Sequence, residues 1–222
     1  ADLNNRDTQS LSANSRSKEA TLPEIDFKWG NIEKRIPYLK RVMNNVQITS
    51  RFSIKAAREW LNDDPNPTND RTTTSHSPLV SLNGILFGGL QTSVSYNMTS
   101  EENLSYSGET SSVTIMDRSG LNGDLRYNMS PTSGILKKFN LKSSIDFSVT
   151  FSTTTDQQRR SIENKEMATV QKNTGWMVSP KADYRFSEKF TGSAMVRVEN
   201  TKDMTNKVHK VREVSISGRM VF

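Results

Sequence analysis

The sequence predicts an all-β chain: an antiparallel, up-and-down wall of about ten long strands of the transmembrane β-barrel kind, with one short amphipathic helix near 31–43. Three observations predict it. The stretch FNLKSSIDFSVTFSTTT, residues 139–155, keeps a two-residue period for roughly 13 positions, where a globular strand usually runs about 5–6. Its Leu141, Ile145, Phe147, Val149 and Phe151 leave one face, and Asn140, Lys142, Ser144, Asp146, Ser148, Thr150 and Ser152 leave the other. The same alternation recurs along the chain. Finally, only 33% of the 222 residues are hydrophobic, with mean hydropathy −0.67, too few for an ordinary soluble core. A barrel wall resolves the deficit, because only one face of each strand meets lipid and the other meets a polar lumen.

Taken in order, residues 1–22 read as a polar N-terminal segment, coil or polar strand, and 23–222 as the wall. Ile25, Phe27 and Trp29 alternate as a strand that Gly30 interrupts. Ile32, Ile36, Leu39, Val42 and Met43 then recur at three- and four-residue spacings, which predicts the helix, kept short by Pro37. It reads as a cap on a barrel rim or as a docking element. From Val46 to Ala56 the period returns to two. LNDDPNPTNDRTTTSHS, within 61–77, reads as a long polar loop over 61–76, and it lacks the spaced acid–Gly–Glu pattern of a calcium loop.

A meander follows. Strands are expected near 77–86, 90–99 and 102–109. Those near 113–117 and 120–129 read as two strands or one interrupted strand. After the turn MSPTSG comes the long alternating stretch, returning through 159–172. A strand over 174–186 places Trp176, Val178, Ala182, Tyr184 and Phe186 together, with Pro180 against it. Ser187–Lys189 turn into 190–200, which carries Phe190, Ala194, Val196 and Val198, and 208–222 closes the series. The lipid-facing candidates are Leu141, Ile145, Phe147, Val149, Phe151, Val178, Tyr184, Phe186, Val196 and Val198. Tyr96, Tyr106, Tyr127, Trp176 and Tyr184 are candidate interface aromatics. Phe222, an aromatic closing the last strand, is a candidate assembly signal. The polar start reads as a mature or proteolytic terminus.

Composition excludes several chemistries. Without cysteine there is no disulfide and no thiolate–metal site. No run of about 18 apolar residues predicts a transmembrane helix. The charge of +6 is spread among acids, as in ENTKDMTNKVHKVRE, so it gives no basic stripe for nucleic acid. His76, in the predicted loop, and His209 stand in no metal-ligand spacing, and the many Ser and Thr lack a His/Asp partner set. No catalytic residue, cofactor site or metal site is predicted, and the chain does not read as an enzyme.

Four collinear stretches resemble the carboxy-terminal barrel wall of the SprA (Sov-type) translocon family of type IX secretion. In DFKWGNIEKRIPYLKRVMNNVQITSRFS, Trp29, Gly30, Lys34, Ile36, Pro37 and Val46 stand in the family pattern of a strand, then Gly-x-x-Lys-hydrophobic-Pro-hydrophobic, then a strand. SPLVSLNGILFGGLQTSVSYNMTSEENLS resembles its Ser-Pro-Leu strand and hairpin. GILKKFNLKSSIDFSVTFSTTTDQQRR resembles its long late strand. VSPKADYRFSEKFTGSAMVRVENTKD with REVSISGRMVF resembles its last two strands. The likeness spans residues 23–222. Gly88-Gly89 and the 61–76 stretch depart from the family's turn and loop.

The resemblance implies a segment of a much larger barrel in the bacterial outer membrane, through which folded cargo is exported, including in gliding motility and display at the cell surface. It implies as partners the remainder of the same barrel, a plug, a smaller cargo-shuttle barrel subunit, secreted protein cargo and outer-membrane lipid. Two other readings stand beside it: a self-contained outer-membrane barrel of about 8–10 strands acting as adhesin, lipid binder or narrow channel, and a soluble all-β binding domain at the cell surface.

Overall fold

Long alternating stretches pair with their chain neighbours, and in this computed structural model they build one antiparallel sheet. The structure describes residues 4–10, 15–61, 66–107, 110–130, 143–163, 165–187 and 189–221. Strands β1 (Asn4–Ser10) and β2 (Ser15–Thr21) form a hairpin. Strand β3 (Ile25–Gly30) continues the line of β2, since both lie along one edge of β4 (Met43–Leu61). Then follow β5 (Asn69–Leu86), β6 (Leu90–Ser107), β7 (Thr110–Met129), β8 (Ile145–Ile162), β9 (Ala168–Arg185), β10 (Phe190–Lys202) and β11 (Val208–Met220). From β5 onward each strand pairs only with its sequence neighbours, and the path from β1 to β11 does not close on itself among the described residues.

The meander therefore has the up-and-down order that the turn signals predict, but several boundaries differ. The predicted loop 61–76 is mostly strand: Leu61 ends β4 and Asn69–His76 begin β5. Those residues read as loop because their two faces are equally polar, so no alternation of hydropathy marks them. Thr72, Thr73 and Thr74 nonetheless favour extended backbone through their branched Cβ. His76 accordingly lies in a strand. The expected strand 159–172 is not separate. Its first residues finish β8 and its last begin β9, with the connection at 163–167. The stretch 110–129 is one strand despite Gly120 and Gly123. Pro180 lies inside β9, opposite Val149. The polar N-terminal segment holds the β1–β2 hairpin. Leu141 and Phe222 lie outside the described residues.

The expected helix 31–43 is two separate turns. Ile32–Lys34 make a 3₁₀ turn and Pro37–Lys40 a single α-helical turn, while Met43 already belongs to β4. Proline explains the break. It has no N–H to bond back to the first turn, and it drives the preceding residue out of helical backbone. Ile36 is extended, at φ −114 and ψ 99. The apolar spacing is still used, for Ile32, Met43 and Val46 are buried together, with Leu39, Ile48, Leu82 and Leu86 packed around them. At Gly84 a Cβ would stand 2.8 Å from the Met43 Cε, so a side chain there would displace that flexible end. At the centre the Glu33 carboxylate accepts a 2.9 Å hydrogen bond from the Val46 N–H, 13 residues away.

That bond ties the corner to the sheet, where Val46 sits inside an irregularity of the β4–β5 register, between Asn44 and Gln47. Replacing Glu33 with Ala leaves the buried Val46 N–H without an acceptor, a loss of about 1–3 kcal/mol. Hydrogen–deuterium exchange over 31–46 is therefore expected to speed by at least about fivefold in Glu33→Ala, since local opening sets that rate, and to change less in Glu33→Gln, which keeps an acceptor.

Candidate functional site: two faces of one open sheet

Because the side-chain period is two, the register assigns every residue to a face. Ile145, Phe147, Val149 and Phe151 of β8 face Tyr184, Ala182, Pro180 and Val178 of β9, and on the other side Met129, Tyr127, Leu125 and Gly123 of β7. Val198 pairs Val178, and Val196 pairs Val214 of β11. The same face continues through Val94, Tyr96 and Met98 in β6, Leu82 and Val80 in β5, and Ile48, Phe52 and Ile54 in β4, as far as Trp29, Phe27 and Ile25 in β3. One apolar band thus runs from β11 to β3, below the β1–β2 hairpin, where β2 carries Arg16, Lys18 and Ala20 on that face. All predicted lipid-facing residues within the described strands lie on it. Phe186, just past β9, belongs to it through its rings: Tyr184 lies edge-on at 4.7 Å and Phe190 at 5.2 Å.

Apart from the two turns packed on Ile48, Leu82 and Leu86, nothing among the described residues covers this band. Phe147 is 42% exposed, Val196 41% and Ile216 84%. Its aromatic rings lie over glycines of the neighbouring strand, Phe151 over Gly123, Phe186 over Gly192 and Phe190 over Gly218. The rings fill gaps that a side chain on the partner strand would close, which pins the register.

The band is oblique to the strands. Toward the loop end, the last large side chain before polar positions begin is Val214 in β11, Val198 in β10, Trp176 in β9, Phe151 in β8, Leu121 in β7, Met98 in β6, His76 (stacked 4.7 Å from Phe52) in β5 and Ile54 in β4, with Val208, Val113, Ile115, Leu104 and Trp60 standing apart farther out. Followed through the register, the edge climbs two residues at five of the seven steps, stays level at one and drops two at one, a net rise of eight. At about 3.3 Å per residue and about 4.8 Å between strands, that drift inclines the strands by roughly 40° to the band's normal. Spanning barrels have tilts of about 35–45°.

The aromatics separate along the band. Tyr96 and Trp176 stand at its loop-side edge, in register through Leu121 and Thr153, whereas Tyr127 and Tyr184 stand near its other edge. Tyr106 is different. It lies four same-face positions beyond Met98, beside Leu104 and Val113 and separated from the band by Ser100 and Glu102, so it does not mark the band's rim. Beyond the band this face is mixed, with Leu104, Val113 and Ile115 beside the ion pairs Arg58–Asp70 at 2.9 Å and Arg159–Asp117 at 2.7 Å. Strands β4 to β9 run 18–20 residues. About 9–11 suffice to span hydrocarbon, so roughly half of each would project past it. In the β10–β11 connection, hydrogen bonds from Thr205, then from the Lys207 N–H, hold the Asp203 carboxyl below the usual aspartate range.

The opposite face is mainly hydrophilic, with Ile85, Met116, Met177, Met195 and Val211 as scattered apolar residues. Thr49, Ser81, Ser95, Asn122 and Ser152 form one row across it, and Asn83, Ser93, Asp124, Thr150 and Ser179 the next. Four ion pairs lie along it: Arg126–Asp124 at 2.6 Å, Lys181–Asp183 at 2.8 Å, Arg197–Glu199 at 2.6 Å and Arg71–Glu101 at 3.5 Å. The first three join residues two apart on one strand. The patterns DLR, KAD and RVE carry that signal in the sequence, and a reading tuned to hydropathy passes over it. His209 also lies on this face, opposite Thr201. Depressions of about 580 and 500 Å³, shared by the strands from β6 to β9 and from β5 to β7, open on the polar side, where Asp124 and Arg126 line both.

Neither a protein-family profile nor a curated protein sequence matches the chain.

The two faces make opposite demands on substitution. With lipid over the band, Val149→Lys is expected to destabilise the folded sheet by about 2–4 kcal/mol, the cost of a cation at mid-hydrocarbon, and Phe151→Lys, at the band's edge, by less, whereas Thr150→Lys on the polar face changes stability by less than about 1 kcal/mol. Urea unfolding in lipid vesicles measures both.

Proposed function

We propose that this chain is a wall segment of a protein-conducting channel in the bacterial outer membrane, the C-terminal part of a type IX translocon barrel. The observation that carries the proposal is the tilted apolar band that runs from β11 to β3 of an open sheet, backed by a polar face of mostly small side chains. Lipid is the natural cover for a continuous apolar surface of this extent, since soluble proteins rarely leave such a surface bare. The roughly 40° inclination supports lipid over a protein layer, because it aligns one flat slab with strands that are not perpendicular to it. A sandwich would also need a second sheet on the band, and the described residues hold only one.

The open path favours a segment over a small closed barrel. A barrel of about ten strands would pair β11 with the first strand and fill its interior with side chains. Here the polar face offers mainly Ser, Thr and Asn, which suits a wide water-filled lumen. Unpaired edges are not tolerated in hydrocarbon, so both must meet further strands of the same wall. A lumen wide enough for folded cargo requires many more strands than this chain supplies, and the resemblance of residues 23–222 to translocon walls gives that need an identity. In this reading the plug, the shuttle barrel and the cargo act at the polar face, and this segment contributes no catalytic group.

The mass and detergent dependence of the native particle test the proposal. A detergent-requiring particle far heavier than 25.0 kDa, with further strands of one barrel bound tightly to this chain, is expected. A monodisperse 25.0 kDa particle in detergent would instead establish the small barrel, and the same mass in plain buffer would establish a soluble domain.

A further inference from the structure

The two turns between β3 and β4 form a collar on the apolar face, at the end opposite the 66–68 and 203–207 connections. Its inner side is anchored by Ile32, Leu39 and Met43 on Ile48, Leu82 and Leu86, all three of the latter on the apolar band. Its outer side carries Ile36, Tyr38 and Val42, with Tyr38 80% exposed. Four cations share that exposed segment: Lys34, Arg35, Lys40 and Arg41. None has a carboxylate within ion-pair distance among the described residues. The one acid of the segment, Glu33, is buried and turned toward the Val46 N–H. Arg35 lies 6.0 Å over the Trp29 ring, which holds one guanidinium beside the band.

We infer that this collar binds the phosphate headgroups of anionic phospholipids at the rim of the wall. The inference rests on the lipid-facing reading of the apolar band. Charge complementarity and position select the occupant. The collar is continuous with the band, so whatever solvates the band places its headgroups at the collar. Tyr38 and Trp29 have the amphipathic rings that settle at that depth. Cations flanking such rings hold anionic headgroups, each contributing roughly a fivefold gain in affinity near a charged surface. The buried Glu33 explains why the segment fixes its geometry without neutralising its own cations.

The test uses the native particle in nanodiscs of phosphatidylethanolamine with or without phosphatidylglycerol. Lipid retained after mild delipidation is read by native mass spectrometry. The wild type is expected to retain phosphatidylglycerol over phosphatidylethanolamine by at least about tenfold, and the variant with Lys34, Arg35, Lys40 and Arg41 all changed to Gln to lose that preference. A second variant, Lys34→Arg, Arg35→Lys, Lys40→Arg and Arg41→Lys, keeps the charge and is expected to keep the preference, which separates headgroup binding from misfolding. Equal retention of both lipids by the wild type, or an unchanged preference in the Gln variant, would overturn the inference. So would displacement of the bound lipid by millimolar inorganic phosphate, which would mark a general phosphate site, or loss of an acidic protein subunit from the Gln variant with lipid retention unchanged. Failure of the wild type to enter nanodiscs at all is a separate result, and it would overturn the lipid-facing reading itself.

Discussion

The backbone hydrogen-bond ladder is the constraint on which everything else here depends. In hydrocarbon no water relieves an unpaired N–H or C=O, so a spanning segment must bond internally as a helix or laterally as a sheet. No helix among the described residues is long and apolar enough to cross a membrane. The sheet supplies the alternative. From β4 to β11 each strand is bonded to its neighbour along most of its length, and interruptions are confined to a few register shifts. What the ladder leaves unmet are its two edges, one on β11 and one along β1 and β3. An open sheet with a bare apolar face is incomplete by itself, and the proposed setting, lipid over the face and more wall at the edges, would meet both deficits.

Stability in this molecule comes little from a core. Only Ile32, Met43 and Val46 are buried hydrophobic residues among those described. In place of a core stand the ladder and the cross-strand contacts of each face. On the apolar side, rings lying over glycines fix which strand positions meet. On the polar side, close ion pairs in water-exposed positions contribute little each, about 0–1 kcal/mol, and serve more to keep charged side chains flat against the wall. In the proposed function, a lumen lined this way would present mostly small polar groups to whatever passes.

Much of this was legible in the sequence because the deciding signal is periodic. Ile145 to Phe151 and Val178 to Tyr184 announce their face by alternation alone, and the fold class follows from repeating it along the chain. Where polarity is uniform the signal fails. Asn69–His76 is strand with hydrophilic residues on both sides, so it reads as loop, and the 159–172 boundary is misplaced for the same reason. The helix spacing of Ile32, Ile36 and Leu39 is present, but Pro37 divides it into two turns, a local steric rule overriding a periodic one. The tilt of the band could not be read from any one strand. It depends on the register between strands, which becomes fixed only when ring meets glycine and pair meets pair.

The central claim is that the apolar face of this sheet meets lipid. Single spin labels placed in turn at positions 145–152 of the native particle in vesicles test it most directly, through their accessibility to oxygen and to a water-soluble nickel chelate. The account predicts a strict two-residue alternation, with 145, 147, 149 and 151 reached by oxygen and shielded from nickel, and 146, 148, 150 and 152 the reverse. Shielding of the odd positions from both reagents would place a protein layer over the band and contradict the account.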